Sequence, residues 1–143
     1  APKGSGTPAR VGADMQAVEA SNTRLLIVED DRDLHELFAR IARREGYEVV
    51  SAWTGEEALS ILRSGERIDW LLTDVRLAGV IDGWIVGSEF SLTHPLRPVI
   101  YMSGVEHDSE CRTAASIFLQ KPVMIDDLIR TFQRMSALAE APA

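Results

Sequence analysis

Four places in the chain combine residue types that can move a phosphoryl group: Glu29-Asp30-Asp31, Thr73-Asp74, Ser103-Gly104 and Lys121-Pro122. Each lies at or just past the end of a short apolar run, respectively Leu25-Leu26-Ile27-Val28, Trp70-Leu71-Leu72, Val99-Ile100-Tyr101-Met102 and Ile117-Phe118-Leu119. Taken singly they are ordinary. An acidic triplet after a strand commonly starts a helix, Ser-Gly marks a turn, and Lys-Pro is a common surface pair. Their shared position at the ends of apolar runs is what sets them apart. Glu29, Asp30 and Asp74, ionised within a few ångströms of each other, repel by ~1–4 kcal/mol per pair at ~4 Å. A hard divalent cation relieves that repulsion, and an open all-oxygen site suits Mg²⁺, or Mn²⁺. Three carboxylates against one divalent cation and the Lys121 ammonium leave the site neutral. A phosphoryl group could then approach Asp74, and a carboxylate nucleophile would form an aspartyl phosphate. The cation and Lys121 would stabilise charge on the phosphoryl oxygens in flight, and the Ser103 hydroxyl could bond one of them afterwards.

The elements that must position these groups follow from periodicity. Runs that are apolar on both faces fit strands of a parallel sheet covered on each side by helices. A fifth run holds Val49-Val50. Between the first two strands, Leu34, Leu37, Phe38 and Ile41 form a helical stripe, with Gly46 as the stop. Thr54 with Glu57 makes a capping box for the next helix, which carries Leu59 and Leu62 and ends near Gly65. A last helix follows Asp126-Asp127, with Ile125, Leu128, Ile129 and Phe132 as its stripe. The segments 83–94 and 104–115 are weaker signals, the first because it contains Gly87, β-branched residues and Ser, the second because it has little apolar content beyond Ala114-Ala115. Short, weakly held helices are expected there. The alternation predicts an α/β fold with one doubly wound parallel sheet and right-handed crossovers, and such sheets bind ligands outside the carboxyl ends of their strands.

Composition narrows the classes. The chain has 143 residues and a formal net charge of −7, which suits one domain and disfavours a nucleic-acid surface or an anionic membrane. A single Cys111 excludes an internal disulfide and a Cys-based zinc cluster, and the three histidines (His35, His94, His107) form no ligand pair at helical spacing. No apolar run approaches a membrane span and the start lacks a signal-peptide core, so a cytoplasmic location is expected. Residues 1–23, rich in Ala, Gly, Pro, Ser and Thr, are expected to be disordered. The folded domain is expected at 24–135, with a flexible tail at 136–143.

Five segments, taken in order, resemble the response-regulator receiver domain of two-component signalling, of the chemotaxis-regulator type. They are Leu25 to Asp31, Leu71-Leu72-Thr73-Asp74-Val75-Arg76-Leu77, Asp82-Gly83, Ile100 to Gly104, and Phe118-Leu119-Gln120-Lys121-Pro122. The resemblance implies a flavodoxin-like (βα)5 fold with strand order 2-1-3-4-5. It implies that Asp74 is the phosphoacceptor and that Glu29 and Asp30 hold Mg²⁺ with Asp74 and the backbone carbonyl of Arg76. Lys121 would bind the phosphate, ahead of a cis peptide to Pro122. Ser103 and Phe118 would be the hydroxyl and aromatic switch residues, and Arg76 and Val105 would gate water at the acyl phosphate. The implied donor is a histidine kinase or phosphotransfer protein. The implied target is a downstream protein bound through the face of the fourth helix, fifth strand and last helix, with no nucleic acid or membrane partner and self-association left open. Such a module catalyses only its own phosphorylation and dephosphorylation and turns over no separate substrate.

Several features depart from the family pattern. Ala78 stands where a Pro is usual, and Val80-Ile81 lengthen the loop after Asp74 by one residue. Ala leaves φ free where Pro would fix it, so a mobile loop is expected. The stretch from Ser103 to Phe118 is about four residues shorter than usual, roughly one helical turn. The tail is too short for an output domain, which implies a single-domain regulator or a piece of a longer protein. These departures motivate an alternative, a pseudo-receiver that binds protein without phosphorylation. A Mg²⁺-dependent phosphohydrolase is disfavoured, because the first strand is followed by Glu29-Asp30-Asp31 rather than Asp-x-Asp and no cap domain fits the length.

Overall fold

The computed structural model describes residues 23–105 and 116–140, with side chains as far as Ala137. Five strands, β1 (Arg24–Val28), β2 (Glu48–Ala52), β3 (Trp70–Asp74), β4 (Val99–Ser103) and β5 (Ser116–Gln120), alternate with helices α1 (Arg32–Arg44), α2 (Gly55–Arg63), α3 (Gly83–Thr93) and α4 (Ile125–Glu140). The strands form one sheet in the order β2-β1-β3-β4-β5, and every pairing is parallel. This is the expected doubly wound α/β fold with the order 2-1-3-4-5.

Alternate strand residues feed two cores, as a pleated sheet requires. Leu25, Ile27, Leu72, Ile100 and Met102 pack with Phe38 of α1 and Leu128 and Phe132 of α4. Leu26, Val28, Leu71, Val99 and Tyr101 pack with Ala58 of α2 and Val86 and Phe90 of α3. β1, β3 and β4 are apolar on both faces because both faces are covered. The stops are as read from the sequence. Gly46 (φ 96°) follows α1 and Gly65 (φ 87°) follows α2, both in the left-handed region that favours glycine. Thr54 caps α2, with its Oγ1 accepting from Glu57 N while Glu57 Oε1 takes the N–H of Trp53.

Two expectations are corrected. The segment after Asp82-Gly83 is no weak helix. α3 runs for 11 residues, capped by Asp82, whose side chain accepts from Ile85 N at 3.0 Å. Its buried face is Gly83, Val86, Gly87 and Phe90. Gly87 is needed for packing, because a Cβ there would stand 2.0 Å from the Tyr101 hydroxyl oxygen. The last helix also passes the expected boundary at residue 135 and continues to Glu140. Ser136-Ala137-Leu138-Ala139-Glu140 is made largely of strong helix formers, and the Tyr47 hydroxyl bonds both the Phe132 carbonyl and Ser136 Oγ at 2.8 Å, tying this end to the domain. The weak helix expected at 104–115 and the disorder expected at 1–23 fall almost wholly outside the described residues. No helix among the described residues is long and apolar enough to cross a membrane.

Gly87→Ala should lower stability by about 1–3 kcal/mol, the usual cost of overpacking a filled core. Tyr101→Phe removes the atom in closest conflict, so the double variant should lose less than the two single losses combined. Urea midpoints of the four proteins measure this, and additive losses would place the conflict elsewhere.

Candidate functional site

Strand register brings the chemistry together. Val28 is level with Thr73, so Glu29 and Asp74 emerge side by side. Asp74 is level with Met102, and Ser103 with Gln120, which puts Ser103 one step and Lys121 two steps further along the same edge. The backbone is tied at each exit. Val75 N donates to Met102 O at 2.9 Å and Lys121 N to Ser103 O at 2.8 Å. Gly83 N donates to Val75 O, and a Cβ on Gly83 would lie 1.8 Å from the Asp74 carbonyl oxygen. The Asp-Gly pair thus lets the start of α3 press directly on the backbone of Asp74. The peptide bond between Lys121 and Pro122 is cis, as expected.

The site is a buried acid pair with an exposed third member. Glu29 and Asp74 are each 1% exposed, and Asp30 lies at the surface. One carboxylate oxygen from each of the three falls within 4.8 Å of the others. Lys121 Nζ forms an ion pair with Asp74 Oδ1 and stands 3.5 Å from Glu29 Oε1. Asp31 does not join the cluster as a ligand. It caps α1 by accepting from Leu34 N, and its own N–H donates to Glu29 Oε2 at 2.9 Å. Apart from the Lys121 ammonium and each other, Glu29 Oε1 and both Asp74 oxygens find no hydrogen-bond partner among the described residues. Buried oxygens in this condition carry a high desolvation cost.

Titration reflects that cost. Burial pushes the Glu29 carboxyl up to about 8, helped by its hydrogen bond to Asp74 and the charge of Asp74, while the Asp31 N–H and Lys121 pull the other way. Burial lowers Lys121, but the hydrogen bond and charge of Asp74, with Glu29 behind, outweigh it and hold the ammonium above the usual lysine value. An all-oxygen donor set with orphaned buried oxygens fits a hard divalent cation.

The remaining expected residues lie around this centre. Ser103 is 1% exposed and its Oγ accepts from Val105 N at 3.0 Å. Phe118 is half-buried, level with Tyr101 in the β4–β5 register, and packs on the second core away from the acids. Arg76 is exposed in the loop two residues past Asp74. That loop holds a contact the sequence did not suggest: Ala78 N donates to Asp30 Oδ2 at 3.2 Å. Proline has no N–H and could not make it. The replacement expected to free the loop also supplies a hydrogen bond from it to the acid site.

His35 was also missed. It is 2% exposed and its Nδ1 lies 2.9 Å from the Glu29 carbonyl oxygen. A carbonyl only accepts, so Nδ1 carries the proton. The ring stacks on Trp53 at 3.9 Å. The signal was present, since His35 precedes Phe38 by three and Ala42 by seven residues and so lies on the buried stripe of α1.

Comparisons with known proteins agree with this fold. A family model for the response regulator receiver domain matches residues 25–133. The chain is 35% identical over 108 residues to the transcriptional regulatory protein GlrR of Escherichia coli strain K12, covering 73% of this chain and 24% of that protein. It is 31% identical over 121 residues to the sensor kinase CckA of Brucella abortus, covering 81% of this chain and 13% of that protein. A response regulator receiver protein from Sinorhizobium medicae superposes with a TM-score of 0.77 at 26% identity, covering 83% of this chain and 98% of that one. The chain thus spans about a quarter or less of the length of these curated relatives.

The Glu29 shift sets a pH dependence. A carboxyl whose folded value lies above its free value of 4.5 favours folding at low pH, and that contribution fades as pH rises through about 8. Above pH ~6, where ordinary carboxylates are already ionised, the cation-free protein should lose melting temperature up to about pH 8.5. Asp74→Asn removes the neighbouring charge and should move this loss to lower pH, and added Mg²⁺ should oppose it. A melting temperature flat over this range in the cation-free protein would contradict the assignment.

Proposed function

This chain belongs to the response regulator receiver domain family, and we propose from that premise that it takes a phosphoryl group onto Asp74 and changes its affinity for a partner in consequence. The observation that carries this reading is the buried, under-bonded Asp74 carboxylate, ion-paired to Lys121 beside Glu29 and Asp30. Receivers of response regulators work with histidine kinases and downstream effectors, and the donor proposed here is the phosphohistidine of a kinase or phosphotransfer protein. A carboxylate oxygen of Asp74 attacks phosphorus in line. The new O–P bond forms as the P–N bond breaks, and the histidine nitrogen leaves with the electron pair. Lys121, already at Asp74, neutralises charge on the phosphoryl oxygens.

Glu29, Asp30, Asp74 and the carbonyl of Arg76 would hold Mg²⁺ or Mn²⁺. When bound, the cation supplies Lewis-acid stabilisation of the phosphoryl oxygens and offsets the carboxylate charge. Occupancy requires Glu29 to be ionised, and an adjacent dication favours that state. Ser103 would then turn its hydroxyl to a phosphate oxygen, giving up the bond from Val105 N, and Phe118 would follow inward beside Tyr101. The surface so altered, around Ser103, Phe118 and the last helix, is where a downstream protein would read the change. Arg76 and Val105, exposed beside the acceptor, would set the lifetime of the acyl phosphate by shielding it from water.

Incubation with phosphoramidate and Mg²⁺ should add the mass of one phosphoryl group to the intact protein. Asp74→Asn should gain none, a chelator should abolish the gain, and Lys121→Ala should slow it about 10²-fold or more, in line with loss of a charged transition-state contact. No gain by the native protein would instead support the pseudo-receiver reading, and an unchanged gain by Asp74→Asn would overturn the assignment of Asp74 as acceptor.

A further inference from the structure

A groove of about 490 Å³ lies between α1 and β2, away from the acid site. β2 has β1 as its only sheet neighbour among the described strands, so its outer edge is unpaired there. Arg32, Arg40, Arg43 and Arg44 line the groove against one acid, Glu36. Residues 32, 36, 40 and 43 are spaced by four, four and three along α1, so they share one helix face. In a chain with 15 Lys and Arg and a net charge of −7, this is a local reversal of sign. Arg32 lies over the Trp53 ring at 5.7 Å. No carboxylate of the described residues is held in an ion pair by any of the four guanidinium groups.

The groove is also built, with a rigid aromatic wall. Trp53 and His35 both line it, stacked on each other, and the His35 ring is fixed by its hydrogen bond to the Glu29 carbonyl. The buried Nε2 of His35 is left without a partner. Exposed arginines on a flat helix would be an ordinary solvated face. Four of them around a recess with an ordered aromatic wall are a different arrangement.

We propose that this groove binds a small anion carrying two or more phosphate groups. The guanidinium fork matches phosphate oxygens two at a time. A single phosphate would occupy one or two of the four arginines and leave the others repelling each other, whereas a polyphosphate or a ligand with separated phosphates engages them together. The volume lies in the range of small-molecule sites. A protein partner would need roughly 800 Å² on this side for a standard interface, more than a recess of this kind offers. None of the groove's lining residues is among those assigned to the phosphoryl site, so the two can be occupied together.

Calorimetric titration of the intact chain with inorganic tripolyphosphate, in buffer free of divalent cations, tests this. The native protein should show saturable binding to one site that weakens steeply from about 50 to about 300 mM salt. Orthophosphate should bind at least about tenfold more weakly. The Arg40→Gln/Arg43→Gln variant, altered at two exposed positions, should keep the native melting temperature and lose at least about tenfold in affinity, the loss of charged hydrogen bonds. Ser51→Glu, on the rim from the strand side, should weaken binding independently. Absence of saturable binding by the native protein would overturn the proposal. So would undiminished binding by both variants, which would put the anion elsewhere, at Lys121 for instance, or orthophosphate binding as tightly as tripolyphosphate.

Discussion

Two carboxylates buried against one ammonium are the constraint on which the rest of this structure turns. Glu29 and Asp74 are almost wholly removed from water, and Lys121 supplies one positive charge between them. Ionised together, the three groups leave an uncompensated negative charge in a poorly solvated place, and such a charge is expensive. Without a cation the protein lowers that cost by holding a proton on Glu29 far above the usual carboxylate range. A dication would lower it without the proton, and an incoming phosphoryl group would bring its own electrostatic demands to the same atoms. The same uncompensated charge is what the proposed cation and phosphoryl chemistry would draw on.

Such a site holds its shape only if the backbone around it cannot relax, and the surrounding packing is organised accordingly. Both cores are continuous through β1, β3 and β4, so the strands carrying Glu29, Asp74 and Ser103 are clamped from two sides. At their exits, hydrogen bonds cross from strand to strand, and Gly83 brings α3 hard against the Asp74 carbonyl. Rearrangement is left to side chains. The Ser103 hydroxyl accepts from Val105 N, and Phe118 is only half-buried on β5, whose residues are less covered than those of β3 or β4.

Much of this was legible in the sequence, for a physical reason. A strand buried on both faces must be an unbroken apolar run, so β1, β3 and β4 announce themselves, and polar residues immediately after such runs must lie on one edge of a parallel sheet. Strand order was not legible from periodicity and came from the resemblance. What periodicity misjudged was α3, because its amphipathic signal is nearly absent and its glycines looked like flaws. Their purpose is set by groups far away in sequence, the Asp74 carbonyl for Gly83 and the Tyr101 hydroxyl for Gly87. The end of α4 was missed for a related reason: alanines after Met135 carry no stripe, and the tie that anchors Ser136 is to Tyr47, 89 residues earlier.

Ala78 shows how far a local rule can mislead when the backbone donor it restores has a distant acceptor. Read alone, alanine in place of proline frees φ and loosens a loop. In the fold, the same replacement supplies an N–H that reaches Asp30 Oδ2, the most exposed of the three clustered acids. The loop after Asp74 is thereby tied to the carboxylate that a cation would also use. An oxygen accepting from a backbone N–H is a weaker donor to a metal than a free one, yet it is also better oriented, since one of its lone pairs is engaged. The tether thus trades some intrinsic attraction for preorganisation, and it joins the conformation of residues 75–82 to the state of the acid cluster. Under the proposed phosphorylation of Asp74, a change at the acid cluster would have a route to the start of α3 along this backbone, beside the one proposed through Ser103 and Phe118.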